Sequence, residues 1–254
     1  MTESTDSKEG REIAKRTDEI TERPGEIAEP NDEIAERTRD IAERADEIAE
    51  LTGITRRTLD YYDRNAEQFF AGTVDHDVSQ NIDALLDAIE GEPPYTILDL
   101  GCGPGRDLKA FSELGHRAIG VDGSAQFADM ARAYSGCEVW QEDFVALELP
   151  PAMFDGIFAN AALFHVPSRA LPQVLRHLHA ALKPGGVLFS SNPRGNNQEG
   201  WNRERYGSYH DYDHWLAYLT AANFLPVSHY YRPPNLPRDQ QPWLASVWRK
   251  PKVK

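Results

Sequence analysis

The sequence predicts an α/β protein: a doubly wound, seven-stranded, mostly parallel sheet with a C-terminal antiparallel hairpin, preceded by a heptad-repeat helical extension. Two patterns carry that expectation. From Tyr95 onward, short apolar runs alternate with helical stretches, as βαβ units of a parallel sheet require. Ahead of them, Ile13, Ile20, Ile27, Ile34, Ile41 and Ile48 recur every seven residues. The chain therefore divides into an extension over residues 1–53 and an α/β domain over residues 54–254.

Seven-residue spacing suggests a coiled coil. Here, however, the second apolar residue of each repeat is adjacent to the first, as in "EIAERTR" and "DIAERAD". Pro24 and Pro30 also interrupt a continuous helix. The expectation is a weakly amphipathic helix over residues 32–51, preceded by a disordered stretch. Either the repeat is a low-complexity segment with a solvated charged face, or it serves self-association through residues 31–53.

Residues 54–90 read as helical. Leu59, Tyr62, Ala66 and Phe69 share one stripe, and Ile82, Leu85, Leu86 and Ile89 share another. Gly91 to Pro94 end that region. "YTILDLG" is the first strand, followed by a helix over 105–114 that stops at Gly115. "RAIGVDG" and a helix over 124–134 come next, then "CEVWQED" and "FDGIFANAAL" as the third and fourth strands. A helix over 168–182, a turn at Lys183 to Gly186 and the strand "GVLFSSN" follow. A polar loop and a helix over 211–222 lead to "PVSHYYR" and "WLASVWRK", the terminal hairpin.

The 254 residues carry a formal net charge of −14. That balance argues against a general nucleic-acid grip, which rests on neutralising phosphates. Residues 191–254 reverse the sign, with nine bases against five acids. Cys102 and Cys137 have no CxxC partner, so neither a disulfide framework nor a metal site is expected. The N-terminus is polar and acidic, unlike a signal peptide. No apolar run approaches the roughly 18 residues of a membrane helix. A cytoplasmic location is the expectation.

"ILDLGCGPGRDL" is the most informative segment. A strand ends at Leu100, and glycines let the backbone turn and approach a ligand closely. The dinucleotide fingerprint fails because Arg106 stands where its last glycine belongs. A P-loop ending is absent too. Asp99 would repel a pyrophosphate but suits a cationic ligand.

With an acid followed by Gly101, Gly103 and Gly105, the segment resembles class I S-adenosylmethionine-dependent methyltransferases of the type 11/25 group. The resemblance covers roughly residues 60–250 and is specific over 95–190. It implies a Rossmann-like sheet and S-adenosylmethionine as cofactor. It implies that Asp99 holds the cofactor's amino-acid end and that the backbone of Gly101, Cys102 and Gly103 packs against that moiety. Asp122 and Gly123 would meet the ribose, Asp143 the adenine amine, and Asn160 the methionine side. Phe144 is either an adenine contact or core, and Tyr62 either a cofactor contact on a lid helix or packing. "LKPGG" before the fifth strand is a further mark of the family.

Methyl transfer from an activated cofactor needs chiefly orientation. A base helps where the acceptor loses a proton. His165, after the fourth strand, is the candidate, or else it packs beneath the cofactor or caps the next helix. His76 and Ser79 are weaker candidates for the cleft. Arg194, Trp201, Arg205 and Tyr206 lie in the polar segment after the fifth strand. They suit a small anionic methyl acceptor, or alternatively an interface held by aromatic packing. Methylation of a protein or tRNA, and a non-catalytic cofactor-binding module, remain as alternative functions.

Overall fold

The computed structural model of the chain describes residues 32–252. Ile13, Ile20 and Ile27, with the disordered stretch expected there, lie outside the described residues. Two units divide the chain between Glu47 and Ile48.

Helix α1 runs Asp32–Arg64 without a break. Two separate helical regions were expected here. Their junction, Gly53, is instead absorbed into one helix rich in Ala, Glu and Arg, all good helix formers. The hydroxyls of Thr38 and Thr52 bond back to the carbonyls of Ile34 and Ile48. The stretch expected to stay helical to residue 90 is divided into α2 (Ala66–Thr73) and α3 (Ser79–Leu86). The Asp77 carboxylate accepts from Ser79 N at 2.9 Å, which favours a fresh start at that point.

Strands β1 (Thr96–Leu100), β2 (Arg117–Asp122), β3 (Glu138–Gln141), β4 (Phe154–Asn160) and β5 (Leu182–Pro193) pair in parallel. Helices α4 (Arg106–Glu113), α5 (Ala125–Ser135) and α6 (Leu171–Ala181) connect them. After β5 come β6 (Gln198–Asn202), β7 (Arg205–Tyr209), α7 (Tyr212–Ala221), β8 (Leu225–Arg232) and β9 (Trp243–Arg249). The main sheet has the order β3-β2-β1-β4-β5-β9-β8. The terminal pair is antiparallel, and β9 inserts between β5 and β8.

The inner strands of the sheet are buried on both faces, which is why they read as near-continuous apolar runs, while the edge strands β3 and β8 are largely exposed. Side chains alternate: Leu98, Leu100, Ile157 and Leu188 pack with α6 and α7 on one side. Ile97, Phe158 and Phe189 pack with α3, α4 and α5 on the other. The Lys183–Gly186 turn interrupts the β4–β5 register: Phe154 pairs with Leu182 and Gly156 with Val187, so the four residues between loop out. The polar loop expected after β5 holds a second, two-stranded sheet, β6 with β7.

Candidate active site

In a parallel sheet the loops at the carboxyl ends of the strands share one edge. Here those loops line a single cavity of about 930 Å³. Helix α1 contributes Thr58, Leu59 and Tyr62 to its wall.

The loop after β1 is pinned to β2, because Gly101 N and Cys102 N both donate to Val121 O at 2.7 and 3.1 Å. Gly101 has φ +72°, and a Cβ there would lie 2.5 Å from Ala162 Cβ and 3.2 Å from the Phe144 ring. The Asp122 carboxylate accepts from Gly103 N and from Ser124 N, both at 2.9 Å. It therefore ties the glycine loop to the turn that starts α5. Burial raises its pKa to about 6 against the pull of those two amides.

Gly101, Cys102, Gly103, Asp122, Gly123, Asp143, Phe144 and Asn160 all line the cavity. Asp143 also holds the turn behind it, accepting from Val145 N. Asn160 donates to Asp107 Oδ2 and accepts from Asn81, and Asp107 is held in turn by a two-pronged pair with Arg106. Asp99 behaves differently from the rest. It is buried at the end of β1, does not line the cavity, and leaves Oδ2 without a partner. Burial, followed by the nearby Asp107, raises its pKa well above the ordinary carboxylate value. Burial likewise pushes the Cys102 thiol up.

These groups fit an S-adenosyl cofactor. The loop backbone leaves no room for a side chain at Gly101, and Asp122 presents a fixed carboxylate of the kind an adjacent hydroxyl pair binds. Asp99, expected at the cofactor's amino-acid end, does not reach the cavity, which is lined instead by its neighbours Asp107 and Asp122.

Residues 97–186 match the family described as a methyltransferase domain. The chain is 34% identical over 156 residues to a trans-aconitate 2-methyltransferase of Azoarcus sp. (strain BH72), covering 58% of each chain. It is 32% identical over 110 residues to a malonyl-[acyl-carrier protein] O-methyltransferase of Enterobacter lignolyticus (strain SCF1), covering 43% of each. Over residues 97–186 the chain carries a class I S-adenosylmethionine-dependent methyltransferase domain. It spans about half the length of these two curated relatives. In fold, the chain resembles 1,6-didemethyltoxoflavin-N1-methyltransferase of Burkholderia thailandensis, solved with bound 1,6-didemethyltoxoflavin and S-adenosylhomocysteine. The TM-score is 0.65 at 23% identity, over 80% of this chain and 91% of that one.

Of the residues expected at the acceptor, Arg205 lines the cavity and Arg194, Trp201 and Tyr206 do not. The Arg194 guanidinium is turned onto the carbonyls of Gln241 and Arg238. Trp201 is 41% exposed, with the Arg57 guanidinium of α1 4.1 Å above its ring. Tyr206 acts through its backbone: its N–H donates to Thr58 Oγ1 and its carbonyl meets His165 Nδ1 at 2.6 Å. Arg232 and Trp243, the residues of the final hairpin that the sequence also offers toward the acceptor, do line the cavity, and so does Asp107, which the sequence reading missed. Arg232 donates to Asp77 O but leaves its buried Nε unpaired. Its place at the end of β8 depends on β9 crossing between β5 and β8, which no local motif announces.

His165 and Tyr62 both line the cavity and bond each other at 2.7 Å. Burial pushes the His165 pKa down to about 4, outweighing the carbonyl of Tyr206. Burial also raises the Tyr62 hydroxyl, which Arg205 partly offsets. His76 lines the cavity; Ser79 does not.

Among the described residues, no group of three His, Cys, Asp or Glu could hold a metal ion. No described helix is long and apolar enough to cross a membrane.

Proposed function

We propose that this protein transfers a methyl group to a small, anionic molecule. The cavity carries the reading. At about 930 Å³ it lies near the top of the roughly 300–1,000 Å³ range of small-molecule sites, which leaves room for an acceptor beside the cofactor. Asp122, Gly123, Asp143, Asn160 and the Gly101–Gly103 backbone would hold the cofactor, whose sulfonium supplies an electrophilic methyl group. Beyond them, Arg205 and Arg232 reach the cavity with guanidinium groups suited to a carboxylate or phosphate. The names of the two curated relatives, one acting on trans-aconitate and one on malonyl-[acyl-carrier protein], favour an acidic acceptor as well. A cytoplasmic setting belongs to the same reading, with Cys102 and Cys137 as free thiols.

The first test is calorimetric titration with S-adenosylhomocysteine, with NAD as control. Binding of the former alone is expected. Methyl transfer from labelled cofactor to trans-aconitate and to a panel of hydroxylated and heterocyclic acids then tests the acceptor class. Transfer confined to uncharged molecules would overturn the anionic part of the reading.

A further inference from the structure

The neighbours of His165 fix its tautomer. Nδ1 lies 2.6 Å from the Tyr206 carbonyl oxygen, which can only accept, so Nδ1 carries the proton. Nε2 is then a lone pair, and the Tyr62 hydroxyl donates to it at 2.7 Å. Both ring nitrogens are thereby engaged. An acceptor molecule in the cavity meets the Tyr62 oxygen rather than the imidazole. Arg205 Nη1 donates to that same oxygen at 3.4 Å, and its guanidinium stands over the rings of Tyr61 and Tyr62.

The pair sits in a rigid frame drawn from three elements. Tyr62 comes from α1, His165 from the turn after β4, and Tyr206 with Arg205 from β7. The Tyr62 ring packs edge-on against Phe69 and tilted against Phe127, while Phe164 lies 3.9 Å from the imidazole, centre to centre. The ionisable groups acting on the pair are Arg205, Tyr61 and Asp122.

We propose that Tyr62 and His165 form a hydroxyl–imidazole relay that takes the proton of the methyl acceptor, so that the reacting atom of the acceptor is a hydroxyl or ring N–H. This rests on the methyltransferase reading above. The acceptor's O–H or N–H bond breaks and its electron pair stays on the acceptor atom. The proton passes to the Tyr62 oxygen while Tyr62's own proton passes to His165 Nε2. The imidazolium keeps its Nδ1–H bond to the Tyr206 carbonyl. Tyr62 is the catalytic residue, and His165 is a positioning residue that acts through it. Burial keeps the resting imidazole neutral, with Nε2 open to the Tyr62 hydroxyl, and makes it a weak base that gives the proton up again once the methyl group has been transferred. A carboxylate acceptor would give such a relay no proton to take.

The test uses the full chain saturated with S-adenosylhomocysteine and titrated with 4-nitrophenol below the phenol's solution pKa. The neutral phenol is colourless and its anion yellow, so proton transfer is read directly. The wild-type complex should hold a larger fraction of the phenol as its anion than free solution does at the same pH. Tyr62→Phe, which keeps the ring, should cut the anion signal ~10-fold or more. His165→Gln should shift the pH at which the anion forms upward. On the wild-type protein alone, nitrogen-15 spectra should show His165 as the Nδ1–H tautomer, turning to imidazolium as the phenol binds. No excess of anion in the wild-type complex, or an unchanged His165, overturns the relay. Failure to bind S-adenosylhomocysteine overturns the cofactor reading instead.

Discussion

Asp122 links loop geometry to ligand chemistry through one side chain. Its oxygens hold Gly103 N and Ser124 N, and burial lifts its pKa from 3.8 to about 6, with Asp63 adding to the rise. Accepting two ribose hydroxyls needs the anion. Affinity for S-adenosylhomocysteine should therefore be flat at neutral and alkaline pH and fall as pH drops through about 6. The group's effect on the free fold has the opposite sign. Its stabilising contribution is full below 3.8 and is lost as pH rises through about 6. Asp122→Ala should weaken binding ~10-fold or more, since hydrogen bonds to a charged group are worth about 1.5–3 kcal/mol. Calorimetry across pH on both proteins checks this, and a pH-independent wild-type affinity would remove Asp122 from the site. Two glycines allow a sharper comparison. At Gly101 a methyl group meets Ala162 Cβ at 2.5 Å in a left-handed backbone. At Gly123, where φ is ordinary, it meets the mobile ends of Leu59 at 2.8 and 2.9 Å. Gly101→Ala should cost ~2–4 kcal/mol in stability, the sum of overpacking and left-handed strain, and Gly123→Ala distinctly less. Denaturant melts of the two variants decide it. The sequence announced Asp122 and Gly101 because a strand end and a tight turn constrain residue type locally. It misplaced Arg194 and Trp201 because the direction of a loop side chain depends on partners far along the chain, here Gln241 and Arg57.

At the scale of elements, the β6–β7 hairpin holds α1 against the cavity. Tyr206 N donates to Thr58 Oγ1 at 3.1 Å, Arg57 bonds Arg203 O, and Arg64 pairs with Glu204. The Arg64–Glu204 pair is exposed on both sides, so it adds little. Thr58 is buried and its hydroxyl is the hairpin's inner tie. Thr58→Val keeps the shape and leaves the Tyr206 amide unpaired, a loss of about 1–3 kcal/mol. Hydrogen exchange at the Tyr206 amide should accelerate in this variant while exchange in β1 and β4 is unchanged. Equal acceleration throughout would mean that hairpin and sheet open together. The hairpin itself was invisible in the sequence. Its two-residue turn, Arg203 and Glu204, has neither Asn-Gly nor Asp-Gly, and Arg203 takes φ +58° without a glycine. The parallel strands β1, β2, β4 and β5 were legible for the opposite reason: each is buried on both faces along most of its length and reads as one apolar run.

For the whole molecule, the open question concerns the repeat that precedes the methyltransferase domain. Ile34, Ile41 and Ile48 are 59, 68 and 64% exposed on α1. In a straight helix, residues seven apart drift by about 20° per heptad, so the three form one gently turning stripe. Burying a single isoleucine contributes about 1.5–3 kcal/mol. One such row is narrower than a coiled-coil seam, which uses two positions per heptad. Pairing through residues 31–53 should therefore be weak and concentration-dependent, despite the regularity of the repeat. Sedimentation equilibrium of the full chain should show mass rising with concentration. The triple variant Ile34→Asp, Ile41→Asp, Ile48→Asp should stay at the monomer mass throughout. Because aspartate lowers helix propensity only modestly, circular dichroism can verify that helix content persists. An unchanged mass profile in the variant would reduce the repeat to a solvated, charged helix. A wild-type chain that is monomeric at every concentration would do the same. Sequence periodicity alone does not decide between these states, because it gives the spacing of the isoleucines and not what covers them.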